Sequence, residues 1–209
     1  MAWVQRPLQV LGLALCAAGC APGEGEGWVH SDRLYMEDCW NGEYDLKPTF
    51  FSTNPYRDQA LIRIQRGEDI EELSDGVILS VDRVKHIREE LLGVPIPVGL
   101  PVGVKPIGVP RPITEAPLVS LAFYLHQTCH QQNGTIYSID GTITFSSLFS
   151  NDPNETHGDD RLTEASFDVT VADPRAANLD GEYPEGSTSR LTGWFRYFFE
   201  RGQPAQPFP

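Results

Sequence analysis

The chain has 209 residues, with 29 Asp and Glu against 16 Lys and Arg, and a formal net charge of −13. A chain this acidic repels nucleic-acid phosphates, and no basic stripe interrupts it, which excludes a nucleic-acid partner. Its length and its 40% hydrophobic content suit one domain with a sizeable core.

The N-terminal segment sets the compartment. Arg6 gives it a positive start, and residues 8–19 are uncharged and mostly Leu, Ala, Val and Gly. That run is shorter than the ~20 apolar residues that cross a bilayer. A positive start, a short apolar run and small residues before a cut site form a secretory signal peptide. Its last residues, Ala17-Ala18-Gly19-Cys20, resemble the lipobox of bacterial lipoproteins. The resemblance covers residues 1–20 only, and it departs at Ala17, where the family usually has Leu. It implies that residues 1–19 are removed and that Cys20 becomes the lipidated N-terminus, tying the protein to the membrane. The multiple acyl chains of such a cysteine meet the two-signal requirement for stable attachment. Ala21, standing where an Asp would signal inner-membrane retention, points to the outer membrane. Ordinary cleavage after Ala18 is the alternative.

Cysteine arithmetic favours the lipoprotein. The four cysteines are Cys16, Cys20, Cys39 and Cys129. Removing Cys16 and lipidating Cys20 leaves an even pair, and an oxidising envelope makes a Cys39–Cys129 disulfide the expected state. Cleavage after Ala18 would leave an odd thiol.

APGEGEG, completing residues 20–27, has no apolar period and reads as a flexible tether. A single β-rich domain, 28–209, is expected to follow. QALIRIQRG and GVILSVD are short, β-branched and bounded by turn residues, as strands are. From Asp82, a candidate N-cap, Val84, Ile87, Leu91 and Leu92 recur at helical spacing and Gly93 follows, which predicts one short helix. Residues 93–117 hold seven prolines and form a long Pro-rich loop, since proline at this density opposes both helix and central strand.

Residues 118–132 are compatible with strand or helix. The choice matters for HQTCH: on a helix His126, Cys129 and His130 share a face and could gather a metal, whereas on a strand the histidines lie ~13 Å apart. Asp140-Gly141, between two β-rich runs, predicts a two-residue hairpin joining 135–139 to 142–149. The loop SNDPNETHGDD gathers Asp152, Asn154, Glu155, Asp159 and Asp160, oxygen ligands suited to calcium. The EF-hand pattern fails there, because His157 stands where its glycine belongs. ASFDVTVAD alternates Ala165, Phe167, Val169 and Val171 against Ser166, Asp168 and Thr170, as a half-buried strand does. SRLTGWFRYFFER reads as a late, well-covered strand.

The fold class is therefore mainly β: an antiparallel β-sandwich or barrel-like sheet with one short helix and a long Pro-rich loop. G-x-S-x-G, H-E-x-x-H, P-loop and dinucleotide motifs are absent. No catalytic residue, metal or cofactor is implied. The mature chain is similar to uncharacterised lipoproteins of Gram-negative envelopes, a likeness that carries no activity with it. The function expected is a non-enzymatic binding or structural module at the outer membrane, with the membrane as one partner and a protein or glycan as another. An envelope hydrolase acting on glycan or peptide is one alternative. A calcium- or glycan-binding module using the acidic loop and aromatics such as Trp40 and Trp194 is the other.

Overall fold

A computed structural model describes residues 25–67, 74–101, 103–104, 116–129, 134–149 and 162–198. Ten strands form one sheet: β1 (Gly25–Met36), β2 (Trp40–Leu46), β3 (Phe50–Tyr56), β4 (Gln59–Gln65), β5 (Asp75–Asp82), β6 (Ile96–Gly99), β7 (Val119–Leu125), β8 (Thr135–Ser147), β9 (Leu162–Ala172) and β10 (Thr188–Phe198). Their order is β2-β1-β10-β9-β8-β6-β7-β5-β4-β3. Every neighbouring pair is antiparallel except β6 with β7.

The expected mainly β architecture is present as a single sheet curled into a half-barrel, with one short helix. Curling follows from the need to bury one face of each strand, since among the described residues no second layer covers it. The two edge strands therefore fold back over the same core. Phe51 of β3 stacks on Tyr197 of β10 with centroids 5.7 Å apart, and Tyr44 of β2 meets Phe123 of β7 edge-on at 5.6 Å. The Thr53 and Tyr197 hydroxyls also hydrogen-bond across this interior.

Strand β9 has the alternation its sequence shows. Ala165, Phe167, Val169 and Val171 are buried, while Ser166 and Asp168 are exposed. In β10, Leu191, Phe195 and Tyr197 enter the core and Trp194 faces outward, so this strand is covered on one side only.

Four sequence expectations need correction. The first is the hairpin at Asp140-Gly141. Strand β8 instead runs unbroken through both residues, and its pairing with β9 shifts between Ser138 and Asp140. Gly141 has φ +105°, and a Cβ there would lie 2.3 Å from the Asp168 carbonyl oxygen. The positive φ that a tight turn requires is used here for a bulge against a neighbouring strand.

The second is the Pro-rich loop. Ile96–Gly99, including Pro97, forms β6, wedged where β7 and β8 diverge. The Ser138 hydroxyl holds the fork: it accepts from the Leu121 amide at 2.9 Å and donates to the Gly99 carbonyl at 2.9 Å. A four-residue wedge makes so few ladder bonds that proline's missing donor is tolerated.

The third is the tether. Gly25, Glu26 and Gly27 already pair with Tyr197, Arg196 and Phe195 as the first rungs of β1. A Cβ on Gly27 would come 2.6 Å from the Trp194 carbonyl oxygen, so the glycine belongs to packing here.

The fourth is the helix cap. The α-helix Val84–Glu90 buries Val84 and Ile87 as expected, but its cap residue is Arg83, not Asp82. Its first donors are met from the β3–β4 turn: Asp58 accepts from Val84 N through its carbonyl at 3.0 Å and from Lys85 N through its carboxylate at 2.8 Å.

Candidate functional site

The HQTC segment is neither continued strand nor helix. Strand β7 stops at Leu125, and residues 126–129 form a turn closed by Cys129 N donating to Leu125 O at 2.8 Å. Cys129 is disulfide-bonded to Cys39, with Cα atoms 5.7 Å apart, a normal spacing for the bond. Its sulfur is neither a thiolate nucleophile nor a metal ligand in this state. The His126 ring tilts against Tyr124 at 4.9 Å. His130, Cys20 and the acidic loop with its calcium expectation lie outside the described residues.

Asp75 organises this turn from the opposite strand. Fully buried, its carboxylate accepts four hydrogen bonds: Gln127 N and Thr128 N at 3.0 Å, Tyr44 OH at 2.7 Å and Thr128 Oγ1 at 2.6 Å. Beside it, Tyr124 OH donates to Gln65 Oε1 at 2.7 Å, and Gln65 Nε2 donates to Ser74 Oγ at 3.3 Å. Burial pushes both tyrosine hydroxyls well above their usual range, reinforced at Tyr44 by the bond to Asp75, and burial also lowers Arg63. Such shifts often mark catalytic centres. Here the carboxylate's acceptor positions are taken up by donors that set the path of the chain, so the cluster is the mount for the disulfide.

A different arrangement stands on the outward face of β1, β10 and β9, where three rungs run across the strands. The middle rung is Trp28 opposite Trp194, with Ser166 beyond it. Trp28 is 46% exposed and Trp194 partly exposed. On one side lie Glu26, Arg196 and Glu164; on the other, His30, Thr192 and Asp168. Arg190 grips Asp168, with Nε 2.8 Å from its carboxylate, and that bond holds the Asp168 carboxyl below the usual range. Below the first rung lies a hollow of about 240 Å³, lined by Gly25, Glu26, Arg196, Tyr197 and Phe198. It is smaller than the roughly 300–1,000 Å³ of enclosed ligand sites.

His30 belongs to this face. Its Nδ1 lies 2.8 Å from Asp45 and its Nε2 3.0 Å from Asp32. Hydrogen bonds to Asp32 and Asp45 raise its pKa above the ordinary 6.5. A carboxylate at each ring nitrogen favours the protonated imidazole and ties β1 to β2 through Asp45. Ligand atoms of His30, Glu43 and Asp45 lie within 4.8 Å of one another, spacing that suits a metal ion, but hydrogen bonds to Asp45 and Asp32 already engage both ring nitrogens.

Of the aromatics that the sequence offered for ligand contact, only Trp194 faces outward here. Trp40 packs edge-on against Tyr44 at 5.6 Å, and its Nε1 donates to Gly42 O at 3.2 Å, which gives it a structural role. Trp28 was legible only as the start of the domain. Among the described residues no helix is long and apolar enough to cross a membrane. No family model matches the chain, and neither curated proteins nor solved structures yield a match.

Proposed function

We propose that this protein is a lipid-anchored module of the bacterial envelope that acts by binding, with the outward face of β1, β10 and β9 as its binding surface. The observation that carries the reading is the Trp28–Trp194 rung. An indole left 46% exposed on a paired strand, facing a second across the ladder, forgoes burial that the fold could otherwise use. Rigid strands fix its orientation, as a preorganised site requires. The anchor rests on Ala17-Ala18-Gly19-Cys20, and the Cys39–Cys129 bond suits an oxidising compartment. Ala21 directs the anchored chain to the outer membrane.

Mass spectrometry of the mature chain tests the anchor. The expected N-terminus is an acylated Cys20. An unmodified chain beginning at Gly19 would overturn it.

A further inference from the structure

The geometry points to an uncharged glycan as the ligand of this face, its pyranose rings lying on Trp28 and Trp194 while flanking polar side chains hold the hydroxyls. The inference rests on the outward face being the binding surface and specifies the chemistry that it takes.

An indole offers a flat apolar surface with a negative face. A pyranose offers the complement: one side of its ring is a flat array of C–H bonds carrying slight positive charge, and its rim carries hydroxyls. A sugar-binding surface therefore needs an aromatic platform with hydrogen-bonding groups about one ring away. Side chains two residues apart on one face of a strand are separated by ~7 Å, and adjacent strands by ~4.8 Å. Glu26 stands at that distance on one side of Trp28, the carboxylates of Asp32 and Asp45 about His30 on the other, and Arg196 and Thr192 on either side of Trp194. The polar groups include donors and acceptors, as hydroxyls require.

Size and charge decide against other occupants. The apolar part of the face is two indoles wide. A stable protein interface buries about 800 Å² on each partner around an apolar centre, and here charged rungs close the patch on both sides. On this face Arg190 pairs with Asp168, Arg196 lies beside Glu164 and His30 sits between Asp32 and Asp45, which with Glu26 leaves carboxylates in excess and gives an anionic lipid surface no net attraction. The same carboxylates reject uronic or sulfated glycans, which leaves uncharged sugars.

The test is tryptophan emission and calorimetry on the full mature chain in detergent. The probes are tetrasaccharides of β-1,4-linked glucose, α-1,4-linked glucose and β-1,4-linked N-acetylglucosamine, with a heparin tetrasaccharide as the anionic control. At least one neutral probe is expected to bind saturably, and the heparin probe not to bind. Trp28→Ala should weaken binding at least tenfold, and Trp28→Tyr should restore it to within a few-fold, which separates platform loss from misfolding. The glycan is overturned if no neutral probe binds at millimolar concentration, if Trp28→Ala binds like the wild type, or if heparin binds better. Protection of Trp28 in intact envelopes, without sugar binding in vitro, would overturn the glycan and leave the binding face standing.

Discussion

Asp75 accepts the backbone amide of Thr128 at 3.0 Å and the hydroxyl of the same residue at 2.6 Å, so one carboxylate grips both ends of the residue preceding Cys129. The disulfide is thereby presented by a prepared turn. Hydrogen bonds to a buried charge are each worth about 1.5–3 kcal/mol, and orphaned donors add a penalty. Asp75→Ala should lower unfolding stability by at least about 3 kcal/mol. Asp75→Asn keeps one acceptor for the amides, and the Tyr44 and Thr128 hydroxyls can rotate to accept from its amide, so about 1–2 kcal/mol is expected. Urea denaturation at constant m-value checks both, and a change under 0.5 kcal/mol for Asp75→Ala would refute the role.

The crosslink closes a span of 90 residues. Replacing both Cys39 and Cys129 with Ala should cost about 2–4 kcal/mol. Because Asp75 holds the turn that ends in Cys129, the loss should be non-additive with Asp75→Asn, by about 0.5 kcal/mol or more in a double-mutant cycle. Strict additivity would mean that the carboxylate and the disulfide act independently.

Much of the scaffold was legible because its signals are local. Strand β9 has period-two alternation, which any half-buried strand must show, and the cysteine pair followed from a count. The misreadings arose where one local signal serves two geometries. Asp-Gly supplies positive φ for a turn or for a bulge, and only the close approach of Asp168 at Gly141 decides between them. Pro97 is tolerated because β7 and β8 diverge beside it, which its own neighbours do not reveal. Asp75 gathers partners from β2 and from the turn after β7, and Trp28 meets Trp194 through a register set between the first and last strands. Neither arrangement leaves a mark within a short window of sequence.

Gly141 supplies a prediction of its own. A side chain at φ +105° is strained, and its Cβ would press on Asp168 and Val169 of β9. Gly141→Val should destabilise by about 2–4 kcal/mol, combining backbone strain with overpacking. A thermal melt unchanged from wild type would show that β8 does not bulge there.

His30 predicts a pH dependence of known sign. Its pKa is raised in the folded state above 6.5 by Asp32 and Asp45, with Glu43 close by. Its stabilising contribution is therefore fully present below pH 6.5 and is lost as pH rises through the folded-state pKa. His30→Gln should flatten melting temperature against pH above 6.5. An NMR titration of the His30 ring that gives a midpoint at or below 6.5 would contradict the clamp.

The central claim is that the Trp28 face is occupied in the cell. Hydroxyl-radical footprinting of intact envelopes, compared with the purified chain in detergent, reads this directly. Tyr56, 64% exposed on the edge strand β3, is the internal reference. Trp28 is expected to be modified several-fold more slowly in envelopes while Tyr56 is unchanged. Equal modification of Trp28 in both preparations would contradict it.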